Sequence, residues 1–252
     1  MTTTSTMIVV SDIKGRIKVK NPLSRAEKLG WVALSDTELL ICSQHYPLCV
    51  IDASCGPIVG ATLSSPELRT PISQRQKSIY FPIGLRTHPF VAPSGSSNTP
   101  KDLQISSDDF KIVAGETTSG ELTLISDDGT PSAALTTIHG LLEQLTAGKQ
   151  KLQDAANQLI IANLLKCSSD EPQFTLNYAA FRDISEARLL ALTRTCALAV
   201  ELAVALEFSQ RHLAATRVAA TLPTDEVNSA GHIEWLSPWL DFGELLALPD
   251  EM

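Results

Sequence analysis

The sequence predicts an α+β fold: a bent, mostly antiparallel β-rich N-terminal half packed against long, antiparallel C-terminal helices. Three observations lead there. Short apolar segments separated by Gly, Pro, Asn or Asp breaks fill the first half. A leucine stripe at helical spacing begins just after Pro131. The most apolar window, "CALAVELAVAL" at 196–206, lies inside a second helical pattern.

In chain order, "MIVV", "RIKVK", "LGWVAL", "PLCVID", "PIVGATL", "SIYFPIG", "DFKIVAG" and "ELTLIS" read as strands. Lys14, Arg16, Lys18 and Lys20 alternate with Ile13, Ile17 and Val19, the period of a strand with one solvated face. One helix interrupts the strands. In "SDTELLICSQHY", Ser35 is an N-cap with Glu38 three residues on, the spacing of a capping box, and Leu39, Cys42 and Tyr46 fall on one face. The run "PSGSSNTP" lacks apolar side chains to offset the entropy of ordering and reads as an exposed loop.

Thr130 is expected to cap a helix with Pro131 at its first position. Leu135, Ile138, Leu142, Leu145, Leu152 and Leu159 carry the stripe to about Leu165, with Gly148 as a break or kink. The strand "QFTLNY" then precedes a helix over 185–221, expected to be the central buried element, in which Glu201 is a paired, buried carboxylate. The organisation expected is one domain, 1–252, with a β-rich half at 7–126, a helical half at 127–222 and an acidic aromatic tail at 223–252. That tail holds Trp235, Trp239, Phe242, Leu245 and Leu246, and either folds over its own body or docks a partner.

At 252 residues and 44% hydrophobic, the chain can bury a sizeable core. A net charge of -8 argues against a broad basic surface for nucleic acid or anionic lipid. The start, "MTTTSTMIVV", lacks the features of a secretory signal, and the 196–206 window is shorter than the ~20 apolar residues that span a bilayer. A cytoplasmic location with no integral membrane segment is the expectation. Five scattered cysteines, an odd number, fit reduced thiols.

The stretch "CSQHYPLCVID" raises the question of a Cys-His pair. Cys42 lies on the apolar stripe, which favours packing, and His45 falls at the helix C-terminus. Cys42, Cys49 and Cys55 are separated by six and five residues, not by the short spacing of a zinc knuckle, so no metal is expected. The glycines form no dinucleotide or Walker loop, and Gly-x-Ser-x-Gly is absent, so no cofactor is expected. Asp108, Asp109, Asp127 and Asp128 read as turn residues. In "YFPIGLRTHPF", Tyr80, Arg86, His88 and Phe90 are the candidate binding residues, with the Arg86 fork suited to a carboxylate of the chain or of a ligand.

Four stretches carry a family resemblance. "LGWVALSDTELLICSQHYPLCVI" resembles the helix-to-strand block of the SapC-like family, and "YFPIGLRTHPFV" its Tyr-x-Pro-x-x-x-Arg-x-x-Pro-Phe block, although Tyr80 here precedes Phe81 and Pro82. "LISDDGTPSAAL" is similar to its acidic-Gly turn opening a Leu-rich helix, and "SEARLLAL" to its last-helix start. The likeness runs over residues 10–220. Where members commonly have an early histidine, this chain has "DIKGRIKV", so no role of that histidine transfers. The resemblance implies a cytoplasmic bacterial accessory protein. The family takes its name from a surface-layer secretion cluster, and its members often neighbour flavin-dependent halogenase-like and TonB-receptor genes. It is distinct from the peptide-transporter permease of the same name, and it brings no catalytic residues.

The resulting expectation is a non-enzymatic adaptor acting beside a partner enzyme or a transport or secretion system. Protein partners, a second copy of the chain among them, would meet Tyr80, Arg86, His88, Phe90, Trp235 and Trp239. The alternatives are an enzyme with a site near Arg86 at the sheet-helix junction and a self-assembling subunit.

Overall fold

The alternating segments of the first half pair into antiparallel sheets in the computed structural model, which describes residues 6–13, 15–19, 29–63, 80–93, 99–113, 121–126, 128–167 and 172–221, with side chains up to 211. The strands are β1 (Met7–Val9), β2 (Arg16–Val19), β3 (Trp31–Ala33), β4 (Leu48–Ala53), β5 (Gly56–Thr62), β6 (Phe90–Val91), β7 (Gln104–Ser106), β8 (Phe110–Val113), β9 (Glu121–Thr123), β10 (Leu165–Cys167) and β11 (Gln173–Leu176). The helices are α1 (Leu39–His45), α2 (Ile83–Arg86), α3 (Ala133–Ile161), α4 (Tyr178–Arg182), α5 (Glu186–Thr195) and α6 (Ala197–Thr221). The architecture is α+β.

The largest sheet runs β10-β11-β4-β5-β3, and two three-stranded sheets run β1-β7-β6 and β8-β2-β9. Strands β4 and β5 form a hairpin from Leu48↔Ala61 to Ala53↔Gly56. Gly56 closes it at φ +107, a conformation that side chains rarely adopt. On the charged strand Lys18 is exposed, whereas Arg16 is largely covered and pairs at 3.1 Å with Glu121, whose side chain is 1% exposed, so the stripe is solvated at Lys18 and not at Arg16; Lys14 and Lys20 lie outside the described residues.

Two apolar clusters form the core. One joins the five-stranded sheet to α1, α3 and α6 through Leu39, Tyr46, Val50, Val59, Leu152, Leu159, Leu202 and Leu206. The other joins the two smaller sheets to the start of α3 through Ile17, Phe90, Leu103, Ile105, Leu124, Leu135 and Leu142. Helix α3 therefore serves both, its first turns in one cluster and its last in the other. The fully buried Ser209 of α6 ties that helix to β4: its hydroxyl accepts from Leu48 N at 3.1 Å and donates to the Leu206 carbonyl at 3.0 Å.

Several expectations need correcting. Gly148 neither breaks nor kinks α3, which runs 29 residues through it. A Cβ there would lie 2.7 Å from Asp36 N, so the glycine serves close packing. The N-cap of α3 is Ser132, which accepts from Leu135 N, because Thr130 is engaged by Asp128 instead. Tyr80 to Pro82 is not a strand but an extended lead into α2, and β6 and β7 were not foreseen.

The helix expected over 185–221 is broken at Cys196 and bent by 115°. Cys196 adopts an extended conformation, donates to Leu192 O and accepts from Ala199 N, so it ends α5 while opening α6. The hydroxyls of Thr193 and Thr195 bond back to the carbonyls of Leu189 and Ala191, a habit that disfavours helix continuation. Glu201 is exposed rather than buried, because the face of α6 that packs inward carries Ala199, Leu202, Ala203 and Leu206. Among the described residues, no single helix is long and apolar enough to cross a membrane.

Candidate functional site

Where the two clusters meet, the capping box of the first helix becomes a long-range clamp. Ser35 N donates to Glu38 Oε2 at 3.1 Å, the local half of the box. The other carboxylate oxygen, Oε1, accepts from Ile83 N at 2.5 Å and from the Tyr80 hydroxyl at 2.9 Å. Ile83 is the first residue of α2, so one side chain satisfies orphan donors at two helix starts. The Tyr46 hydroxyl donates to the Tyr80 carbonyl at 2.8 Å and fixes the same lead-in from the other side. Gly84 lets α2 approach β3, since a Cβ there would meet Val32 Cγ2 at 2.5 Å.

The Arg86 guanidinium lies over the Tyr80 ring, 5.8 Å from its centroid, a cation–π arrangement. Its field reaches Glu38, a carboxylate of the chain itself. Arg86 Nε is buried and has no hydrogen-bond partner among the described residues.

Each acid of the cluster is held above its ordinary pKa. Burial pushes the Glu38 carboxyl up, against the opposing pull of its Ile83, Ser35 and Tyr80 donors and of Arg86. Burial and then the Glu38 charge push the Tyr80 phenol up. Cys42, fully buried beside them, is raised by burial and again by Glu38. A thiol so raised is not the thiolate that nucleophilic chemistry needs. The Cys-His question thus resolves toward packing, with His45 half-buried and its ring edge-on to Tyr46 at 6.4 Å. All five cysteines are free thiols, and among the described residues no cluster of His, Cys, Asp or Glu could hold a metal ion.

Of the residues singled out in the sequence, Tyr80 and Arg86 come together here. His88 is half-buried just beyond α2, at a cis bond to Pro89. Phe90 is 5% exposed in the second cluster, where it packs. Trp235 and Trp239 lie outside the described residues. Glu38 was read only as a local cap. Its partner Ile83 is 45 residues away, and no spacing rule reaches that far.

A second locus lies at the far end of the helical half. Tyr178, Phe181 and Arg182 of α4 and Glu207 and Arg211 of α6 line a groove of about 410 Å³. Arg211 and Glu207 pair across one helical turn at 2.6 Å, and the Tyr178 hydroxyl bonds Gln210. Burial and then the Glu207 charge push the Tyr178 phenol up. Elsewhere on α5 and α6, Leu190 and Val204 are each 50% exposed and Phe208 is 43% exposed.

Fold and site define an α+β protein whose polar centre clamps two helix starts and whose C-terminal helices expose several large apolar side chains. The chain belongs to the SapC family, whose sequence profile matches residues 13–222. No curated protein and no solved structure matches it. The aromatic tail lies beyond the matched span.

Proposed function

We propose that the protein is a non-enzymatic, cytoplasmic adaptor that binds a partner enzyme or a component of a transport or secretion system. The observation that carries this reading is the exposure of large apolar side chains on α4, α5 and α6, where Tyr178, Leu190, Val204 and Phe208 are all at least 43% exposed. Exposed large apolar side chains of this kind favour a protein partner, and aromatic residues such as Trp235 and Trp239 are of the type that anchors interfaces, in cis or in trans. The chemistry of the Glu38 clamp agrees, because Glu38 spends its oxygens on structural donors while Tyr80 and Cys42 keep their protons. The test is capture by tagged protein in its native host after crosslinking, compared with Val204→Asp/Phe208→Asp. One partner held by the parent and lost from a variant with unchanged circular dichroism supports the reading. Equal capture by both overturns it.

One observation favours an enzyme or ligand site instead: the unpartnered, buried Arg86 Nε beside Glu38. Small carboxylates would then raise the melting temperature of the parent and not that of Arg86→Met.

A further inference from the structure

We propose that the groove between α4 and α6 is the docking site of the chain's own C-terminal segment, with Trp235 and Trp239 as anchors and its acids facing Arg182 and Arg211. The groove offers aromatic walls, Tyr178 and Phe181, and a cationic rim. The Arg182 and Arg211 side chains are 84% and 75% exposed. Glu207, the one acid among the described lining residues, is already engaged by Arg211 at 2.6 Å. Among the described residues, the ion pair that Arg182 makes is with Asp183, at 3.9 Å. An incoming anion therefore finds one guanidinium little committed and another whose remaining donors are open to solvent.

The tail has the complementary chemistry. Residues 223–252 carry seven acidic side chains and no lysine or arginine, against a net charge of -8 for the whole chain. Tryptophan is the aromatic best suited to lie against an arginine, and it buries about 150–250 Å² when covered.

Connectivity selects the chain's own tail over a second copy. The tail leaves α6 at Thr221, ten residues beyond Arg211, which is ~15 Å of helix. The 14 residues from there to Trp235 can extend to about 45 Å, several times the distance back to the groove. A tethered segment with that slack acts at a millimolar effective concentration, far above the concentration of a second molecule in dilute solution. The inference stands on groove and tail; it rests on the adaptor reading only in that a partner on the same face competes with the tail.

The full chain has three tryptophans, so Trp31→Phe leaves emission from Trp235 and Trp239 alone. The expected result is blue-shifted emission with acrylamide quenching several-fold below that of free tryptophan, unchanged on dilution of a monomer. Arg182→Glu/Arg211→Glu, at two exposed positions, is expected to shift the emission to the red and raise quenching several-fold with unchanged circular dichroism. Glu234→Lys/Asp241→Lys in that background is expected to reverse part of the change. Trp31 packs against Gly60, where a Cβ would lie 2.7 Å from its ring. If Trp31→Phe misfolds, fluorotryptophan resonances of the parent chain report the same two residues. Solvent-like emission in the parent overturns the proposal, as does burial indifferent to the arginine reversals or burial lost with a dimer on dilution. Equal partner capture by the parent and by Val204→Asp/Phe208→Asp, with the tail signal as expected, would count against the adaptor reading alone.

Discussion

A carboxylate only 1% exposed, holding donors from Ser35, Ile83 and Tyr80, does more for the chain than a helix cap normally does. Removing it in Glu38→Ala strands two backbone N–H groups and a phenol in the interior, a loss expected to cost about 2–4 kcal/mol in urea unfolding at pH 7. Its pH dependence has a definite sign. Burial raises the folded-state pKa above the unfolded value near 4.5, so the folded state binds the proton more tightly. The stability this gives is present below the unfolded value and is lost as pH rises through the folded one. Relative to Glu38→Gln, which does not titrate, the parent should therefore gain stability between pH 7 and pH 5. A parent that loses ground to the glutamine variant on acidification contradicts the assignment.

At the scale of elements, α3 contains two glycines in contrasting surroundings. A Cβ on Gly140 would have nothing within 4 Å, whereas one on Gly148 would press on Ser35 Oγ and Asp36. Gly140→Ala should accordingly stabilise by about 0.5–1 kcal/mol through helix propensity alone. Gly148→Ala should destabilise by about 1–3 kcal/mol, because the turn at Asp36–Glu38 must move away. Thermal melts of the pair decide it, and equal shifts in one direction would refute the close packing. The same helix shows what was legible. Period and capping residues gave α1, α3 and most strands, because these depend on neighbours in sequence. The packing role of Gly148, the turn at Cys196 and the outward face of Glu201 depend on which surface meets which, and a run as uniformly apolar as 196–206 carries no phase from which to read it. The candidate site divides in the same way: the Ser35–Glu38 box was legible, and its reach to Ile83 was not.

For the whole molecule, the question is whether two apolar clusters make one cooperative unit. Helix α3 crosses both, placing Leu135, Ile138 and Leu142 in one and Leu152 and Leu159 in the other. The segment after the clamp does the same, with Leu85 in the first cluster and Phe90 in the second. Polar links tie the middle of α3 to the turn before α1: Gln144 Nε2 donates to Thr37 Oγ1 at 2.9 Å, and Lys151 Nζ meets Asp36 Oδ2 at 2.8 Å. One cluster cannot unfold without releasing half of α3 and the Glu38 clamp, which removes cover from the other. Unfolding is therefore expected as a single calorimetric transition. Leu152→Ala and Leu124→Ala, both at fully buried positions in different clusters, should each cost about 2–5 kcal/mol and lower that one transition. The two residues lie in different clusters, so the double variant should show the sum of their costs within about 0.5 kcal/mol. Two resolved transitions, each moved by only one of the substitutions, would mean that the clusters fold separately and that α3 is a linker between them rather than their shared wall.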